Sequence, residues 1–159
     1  MSFRMSIAKA LGDIILSELD GTKTTQYFTN IFQNVFVQNK NFSQIQDYPA
    51  VTVTTGPESF EYLPSGARWN TLVLYIRGFV KNEDDSAAEL ERLIEDIKNI
   101  IDNFDSIPYT VTKPDSTILN LRTTQSTISE ISTDEGLLAP LGIGEISLTI
   151  RYSQYSRLV

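Results

Sequence analysis

An α+β (α/β) fold, a largely antiparallel or mixed β-sheet flanked by two α-helices, is predicted by three observations. An apolar stripe at helical spacing opens the chain, and a stronger one crosses 86–104. The segments between and after them alternate apolar and polar residues with the two-residue period of strands. The order α, β, β, β, α, β, β, β places helices over one sheet rather than between parallel strands. With 159 residues and neither an internal repeat nor a linker-like stretch, the chain is expected to form a single domain over 1–159.

The first helix is expected over 2–19. Ile7, Leu11, Ile14, Ile15 and Leu19 fall on one stripe, and Asp20-Gly21 supplies a stop. Residues 22–48 are rich in Asn, Gln and Thr, with scattered aromatics Tyr27, Phe28, Phe32, Phe36 and Phe42. That aromatic content argues against a disordered linker, and a strand is placed at 34–38. A second strand runs over 50–55 after Pro49, with Val51 and Val53 on one face, and Gly56-Pro57 ends it. A loop over 58–66 follows, and a long strand over 68–81. That strand is apolar on both sides, Trp69, Val73 and Tyr75 against Leu72, Leu74 and Ile76, as in a central strand covered on two faces. The pair would form a hairpin with a long loop at 56–67. Trp69, the only tryptophan, reads as core or, failing that, as an interface anchor.

The second helix has the clearest signature. Ser86 and Glu89 have the spacing of a capping box. Leu90, Leu93, Ile94, Ile97, Ile100, Ile101 and Phe104 then form one face, each side chain contributing roughly 1.5–3 kcal/mol when buried. A short strand is expected at 108–112, closed by Lys113-Pro114-Asp115. Residues 117–133 suit one long strand or two joined ones, with a bulge near 125–127 reconciling Leu119 and Leu121 with Ile128 and Ile131. The last strand, 145–152, turns Ile146, Leu148, Ile150 and Tyr152 inward and Ser147, Thr149 and Arg151 outward.

Composition narrows function. There is no cysteine and no histidine, which removes disulfides, thiolate zinc sites, cysteine nucleophiles and histidine triads. The net charge is −7, unfavourable for gripping nucleic acid. Segment 83–105 holds nine acids and two bases, while the remainder is balanced at eleven of each. Acids near a helix N-terminus are favourable in themselves. Glu91, Glu95 and Asp102 fall together on the side opposite the apolar stripe, where they face water, repel phosphate or meet a basic partner. Arg4, Lys9, Asp13 and Glu18 interrupt the apolar residues of the N-terminus, so a signal peptide is not expected. The longest nearly apolar stretch, 136–144, is half a membrane span, so no membrane partner is expected.

No constellation points to catalysis, a metal or a cofactor. Gly142-Ile143-Gly144 lacks the spacing of a phosphate loop and reads as a turn. Asp134 and Glu135 are adjacent, whereas paired catalytic carboxylates converge from separate elements. Glu83-Asp84-Asp85 lacks the spaced oxygens of a calcium loop and reads as a cap. More informative are two segments too apolar for free loops: Phe60, Tyr62, Leu63 and Pro64, and 136–141 with Leu137, Leu138 and Leu141. Such density outside strands calls for docking on something.

Those segments carry a resemblance. Tyr62-Leu63-Pro64-Ser65-Gly66, followed by Arg68-Trp69, resembles the hairpin of tail terminator proteins of long-tailed bacteriophages. Eleven consecutive residues, from Ser132 through Asp134-Glu135-Gly136-Leu137-Leu138 to Gly142, resemble their late loop, with the same strand after it. The resemblance spans nearly the whole chain, from the helix opening with Ile7-Ala8 to the acidic second helix.

The resemblance implies a structural virion protein of the tail and neck, assembled in the host cytoplasm, and not an enzyme. Its implied partners are its own copies in a homo-hexameric ring, the tail tube protein, whose polymerisation it stops, and the neck or head connector that docks on it. DNA would pass through the ring without specific binding. Phe60, Tyr62, Leu63, Arg68, Trp69, Asp134, Glu135, Leu137, Leu138 and Leu141 are the candidate interface residues. Glu91, Glu95 and Asp102 are the candidate channel-facing acids. Two rival readings are a head-completion or connector-stopper protein and a monomeric ligand-binding α+β module.

Overall fold

The computed structural model describes residues 2–155. Helix α1 spans Phe3–Glu18, with Ser2 as its cap: the Ser2 hydroxyl accepts from the Met5 N–H at 3.1 Å. Strand β1 is only Val35–Phe36, and a single 3-10 turn follows at Phe42–Gln44. Then come β2 (Ala50–Tyr62), β3 (Ala67–Lys81), α2 (Ser86–Asn103), β4 (Pro108–Thr112), β5 (Ile118–Arg122), β6 (Gln125–Thr133) and β7 (Leu141–Tyr155). Five strands form one sheet in the order β1-β2-β3-β7-β6, antiparallel except for the β1–β2 pair. β4 and β5 form a separate antiparallel hairpin. The architecture is α+β, as its periodicities predict.

Both helices lie on one face of the large sheet. Ile7, Leu11 and Ile15 of α1, its C-cap Leu19, and Leu90, Leu93, Ile94, Ile97, Ile100 and Ile101 of α2 are buried. They pack on Val51, Val53, Leu72, Leu74, Ile76, Ile146, Leu148, Ile150 and Tyr152. Glycines let α2 approach: a Cβ on Gly144 would come within 2.7 Å of Ile94 Cδ1, and one on Gly78 within 2.8 Å of Leu93 Cδ2. Gly142-Ile143-Gly144 is therefore part of β7 and not a turn, its small residues serving helix–sheet contact.

Several expectations are corrected. Asp85, not Ser86, caps α2, accepting from the Ala88 N–H at 3.0 Å. Ser86 is the first helical residue, and Glu89 instead accepts from the Asn82 amide at 2.8 Å. β2 does not stop at Gly56-Pro57. The pairing with β3 shifts register between Thr55 and Glu58 and resumes to Tyr62↔Arg68, so the two punctuating residues are absorbed as a bulge. The connecting turn is only 63–66. Residues 117–133 form two strands in different sheets. The irregularity that reconciles Ile128 with Ile131 falls between Ile128 and Glu130 rather than at 125–127.

β3 is the middle strand, but among the described residues only one of its faces is fully covered. Trp69, Val73 and Tyr75 are half-buried on the face away from the helices, so Trp69 is not in the core. Segment 36–48 covers only one end of that face, where Phe42 packs edge-on against Phe79 with ring centroids 5.3 Å apart.

At the far end of the core, Phe3, Tyr109 and Tyr152 form an aromatic cluster with centroids 6.3–6.4 Å apart. Burial pushes the Tyr109 phenol up to about 12. Burial and the Glu58 carboxylate push Tyr152 higher still. Between the ordinary tyrosine value of 10 and these raised values, the folded state binds more protons than the unfolded chain. Stability is therefore expected to be intact below pH 10 and to fall as pH rises above it. Tyr109→Phe should flatten that decline in urea titrations at stepped pH, and an unchanged slope would rule the tyrosine out as its source.

Candidate functional site

The two apolar segments sit at opposite ends of the sheet. β3 starts beside the first, at Ala67, and ends beside the second, at Lys81. At roughly 3.3 Å per residue that separates them by roughly 45 Å.

At the first end, the 63–66 turn is closed by the Leu63 N–H to Ala67 carbonyl bond at 2.9 Å, with Gly66 at φ +86°. Phe60 lies opposite Asn70, and Tyr62 opposite Arg68. Tyr62 is 67% exposed and Phe60 is exposed beside it. Arg68 lies over both rings, 4.7 Å from the Phe60 centroid and 5.8 Å from that of Tyr62, and donates to Gln154 at 2.8 Å. Trp69 points to the other face of the sheet, where the Arg151 guanidinium covers it at 4.3 Å and also approaches Glu61 at 3.9 Å. Arg68 and Trp69, adjacent in sequence, thus serve different surfaces.

At the second end, Asp134 organises the loop. Its carboxylate accepts from the Leu138 N–H at 3.0 Å and the Ile143 N–H at 3.3 Å. Its own N–H and carbonyl pair with Ile143 and Leu137. Glu135 and Gly136 both take positive φ, +56° and +81°. Leu137 is thereby held 85% exposed with Leu138 beside it, whereas Leu141 is half-buried at the start of β7. The Asn82 N–H donates to the Pro140 carbonyl at 2.9 Å, tying the loop to the segment before α2. The loop is built rather than slack, and what it builds is an apolar projection.

Glu91, Glu95 and Asp102 are exposed on the side of α2 away from the sheet, where Glu95 pairs with Lys98 at 3.3 Å. Among the described residues, no three acidic side chains come together to hold a metal ion. No described helix is long and apolar enough to cross a membrane.

One organising residue escapes sequence reasoning. Asp96 is wholly buried, and its carboxylate accepts from the Phe28 N–H at 3.1 Å and the Thr29 N–H at 2.8 Å. Tyr27 and Ile31 plug the core on either side of this staple, while Phe28 and Phe32 stand 74% and 63% exposed. The available signal was spacing. Asp96 is three residues after Leu93 and four before Ile100, inside the buried stripe rather than among the outward acids.

The sequence matches, over residues 1–159, the family described as Bacteriophage Tail Tube Terminator Protein. It is similar to the tail tube terminator protein p142 of Escherichia phage T5, 42% identical over 152 residues, covering 96% of this chain and 94% of that one. In fold it is similar to a chain of the virion of a native gene transfer agent particle. That match has a TM-score of 0.54 at 10% identity and covers 96% of this chain and all of the other.

Proposed function

The chain belongs to the bacteriophage tail tube terminator family, whose members are structural virion proteins of the tail and not enzymes, and from that membership we propose that its copies close into a ring, of six subunits, on the last ring of the tail tube. The ring stops tube polymerisation and offers its other side to the neck or head connector. The chain acts in this as one domain.

The observation that carries the proposal is the pair of exposed apolar turns at opposite ends of one sheet. A subunit with strands along the ring axis meets a different neighbour at each end. Phe60, Tyr62, Leu63 and Arg68 then form one contact, and Asp134, Glu135, Leu137, Leu138 and Leu141 the other. Trp69, near the same end as Phe60 and Tyr62 on the helix-free face with Arg151, is assigned to the first of these contacts.

The sheet's edges support self-association. Among the described residues, neither the outer edge of β2 beyond Thr52 nor that of β6 has a strand partner. The two strands run in opposite directions. Their free segments also lie at the same height: Val53 pairs with Ile76, Ile76 with Ile146 and Ile146 with Ile131, while Ser59 leads by the same route to Gln125. Rotation about an axis parallel to the strands brings β6 of one copy antiparallel to β2 of the next, a head-to-tail contact that closes into a ring. Bulges at both edges, and the Arg4 guanidinium on the Gly56 carbonyl, limit pairing to a partner of matching shape. Native mass measurement with and without tail tubes tests the proposal: a six-fold species on tubes is expected, and a monomer that binds purified portal and ignores tubes would favour a connector-stopper instead.

We further propose that Glu91, Glu95 and Asp102 face the channel and keep phosphate from adhering. Changing all three to Lys should reduce DNA delivery, read as infectivity per assembled particle, while rings still form. Unchanged infectivity would place α2 away from the DNA path.

A further inference from the structure

A groove of about 930 Å³ runs along α1 at the Ala50 end of the sheet. One wall is the helix, with Asp13, Leu16 and Ser17, continued by Asp20. The other is the Phe32, Asn34, Asp47 and Tyr48 segment. We propose that this groove binds a cationic peptide segment of a partner protein, a Lys or Arg flanked by apolar side chains.

Charge and shape argue for that occupant together. None of Asp13, Asp20 and Asp47 is ion-paired among the described residues, and the nearby Lys23 is engaged by Glu18 at 2.7 Å. The Thr22 hydroxyl and N–H hold the Asp20 carboxyl below its ordinary range, so it stays charged. α1 carries no base in its last turn, so its negative carbonyl end adds to the same potential. Asp20 lies just past that end, where its charge adds to that of the carbonyls rather than offsetting it.

The apolar wall is equally deliberate. Phe32 is a bulky residue at φ +55°, a strained conformation for such a side chain, and its N–H donates to the Asn30 side chain at 2.7 Å. The Phe32 ring lines the groove and is 63% exposed, within reach of a lysine stem or guanidinium. The Asn34 amide braces the wall through the carbonyls of Asp47 and Pro49 at 3.4 and 3.5 Å.

The test uses the full chain and an acetylated peptide alternating Lys with Leu, followed by amide chemical shifts. Shifts should centre on Asp13, Ser17, Phe32 and Tyr48. Asp13→Asn, Asp20→Asn and Asp47→Asn together should weaken binding about tenfold, as expected for three exposed charge contacts, and Phe32→Ala should weaken it independently. These positions are exposed, and an unchanged thermal midpoint shows that the variants fold. No binding, equal binding of a peptide with Glu in place of Lys, equal binding by the triple variant, or shifts centred elsewhere would overturn the proposal. Peptide binding is read on the free protein, so its failure is distinguishable from a failure of ring formation or tube capping.

Discussion

Asp96→Ala is expected to lower the thermal midpoint by roughly 6–12 °C. The substitution strips the Phe28 and Thr29 N–H groups of a charged acceptor and leaves them facing a cavity where the carboxylate stood. Hydrogen bonds to charged groups contribute about 1.5–3 kcal/mol each. Removing the buried charge offsets part of their loss, leaving about 3 kcal/mol, and each kcal/mol moves the midpoint of a domain this size by about 2–4 °C. Asp96→Asn keeps one acceptor and should fall between the two. Circular dichroism melting checks the order. A midpoint for Asp96→Ala close to that of the unmodified chain would mean that the 22–34 segment is held by Tyr27 and Ile31 alone.

The second large effect falls on assembly rather than folding. Leu137→Asp with Leu138→Asp should leave the melting midpoint of the free chain within about 4 °C, because exposed substitutions typically move stability by under about 0.5 kcal/mol each. The same pair should weaken the contact at that end about a hundredfold or more, since buried apolar anchors at an interface contribute about 2 kcal/mol or more each. Tyr62→Ala with Leu63→Ala should do the same at the opposite end. One pair should then abolish tube capping, read as tube length, and the other neck docking, read by light scattering after mixing with purified connector. If both pairs leave both readouts unchanged, the apolar turns are not the contacts.

What the sequence could reveal follows from how each element is buried. α2 and β7 each bury one side continuously, so their residues repeat at helical or strand spacing and their inward faces are legible one by one. The length of β2 is hidden because Gly56 and Pro57 ordinarily end a strand. Only pairing with β3, absent from local sequence, lets a bulge absorb them. Trp69 misleads for a related reason. An apolar residue in a central strand looks like core, yet among the described residues no element covers that end of the helix-free face.

The 22–48 segment is the hardest to read. Its burial comes from separate plugs, Tyr27, Ile31 and Ile45, with no period. Its main polar anchor, Asp96, lies 67 and 68 residues beyond the groups it holds. The late turn is visible because its leucines contradict its loop setting, whereas Phe60 and Tyr62 stand out as loop residues only because the strand that holds them is hidden. The separation of the two turns to opposite ends of the sheet emerges only from the register of β3.

The most direct measurement of the account is tube length. Purified tail tube protein should be polymerised alone and with increasing amounts of this protein, and the tubes imaged by negative stain. Progressively shorter tubes, carrying an extra ring of this chain's copies at one end only, are expected. Tubes of unchanged length with bare ends, alongside a protein that stays monomeric, would contradict it.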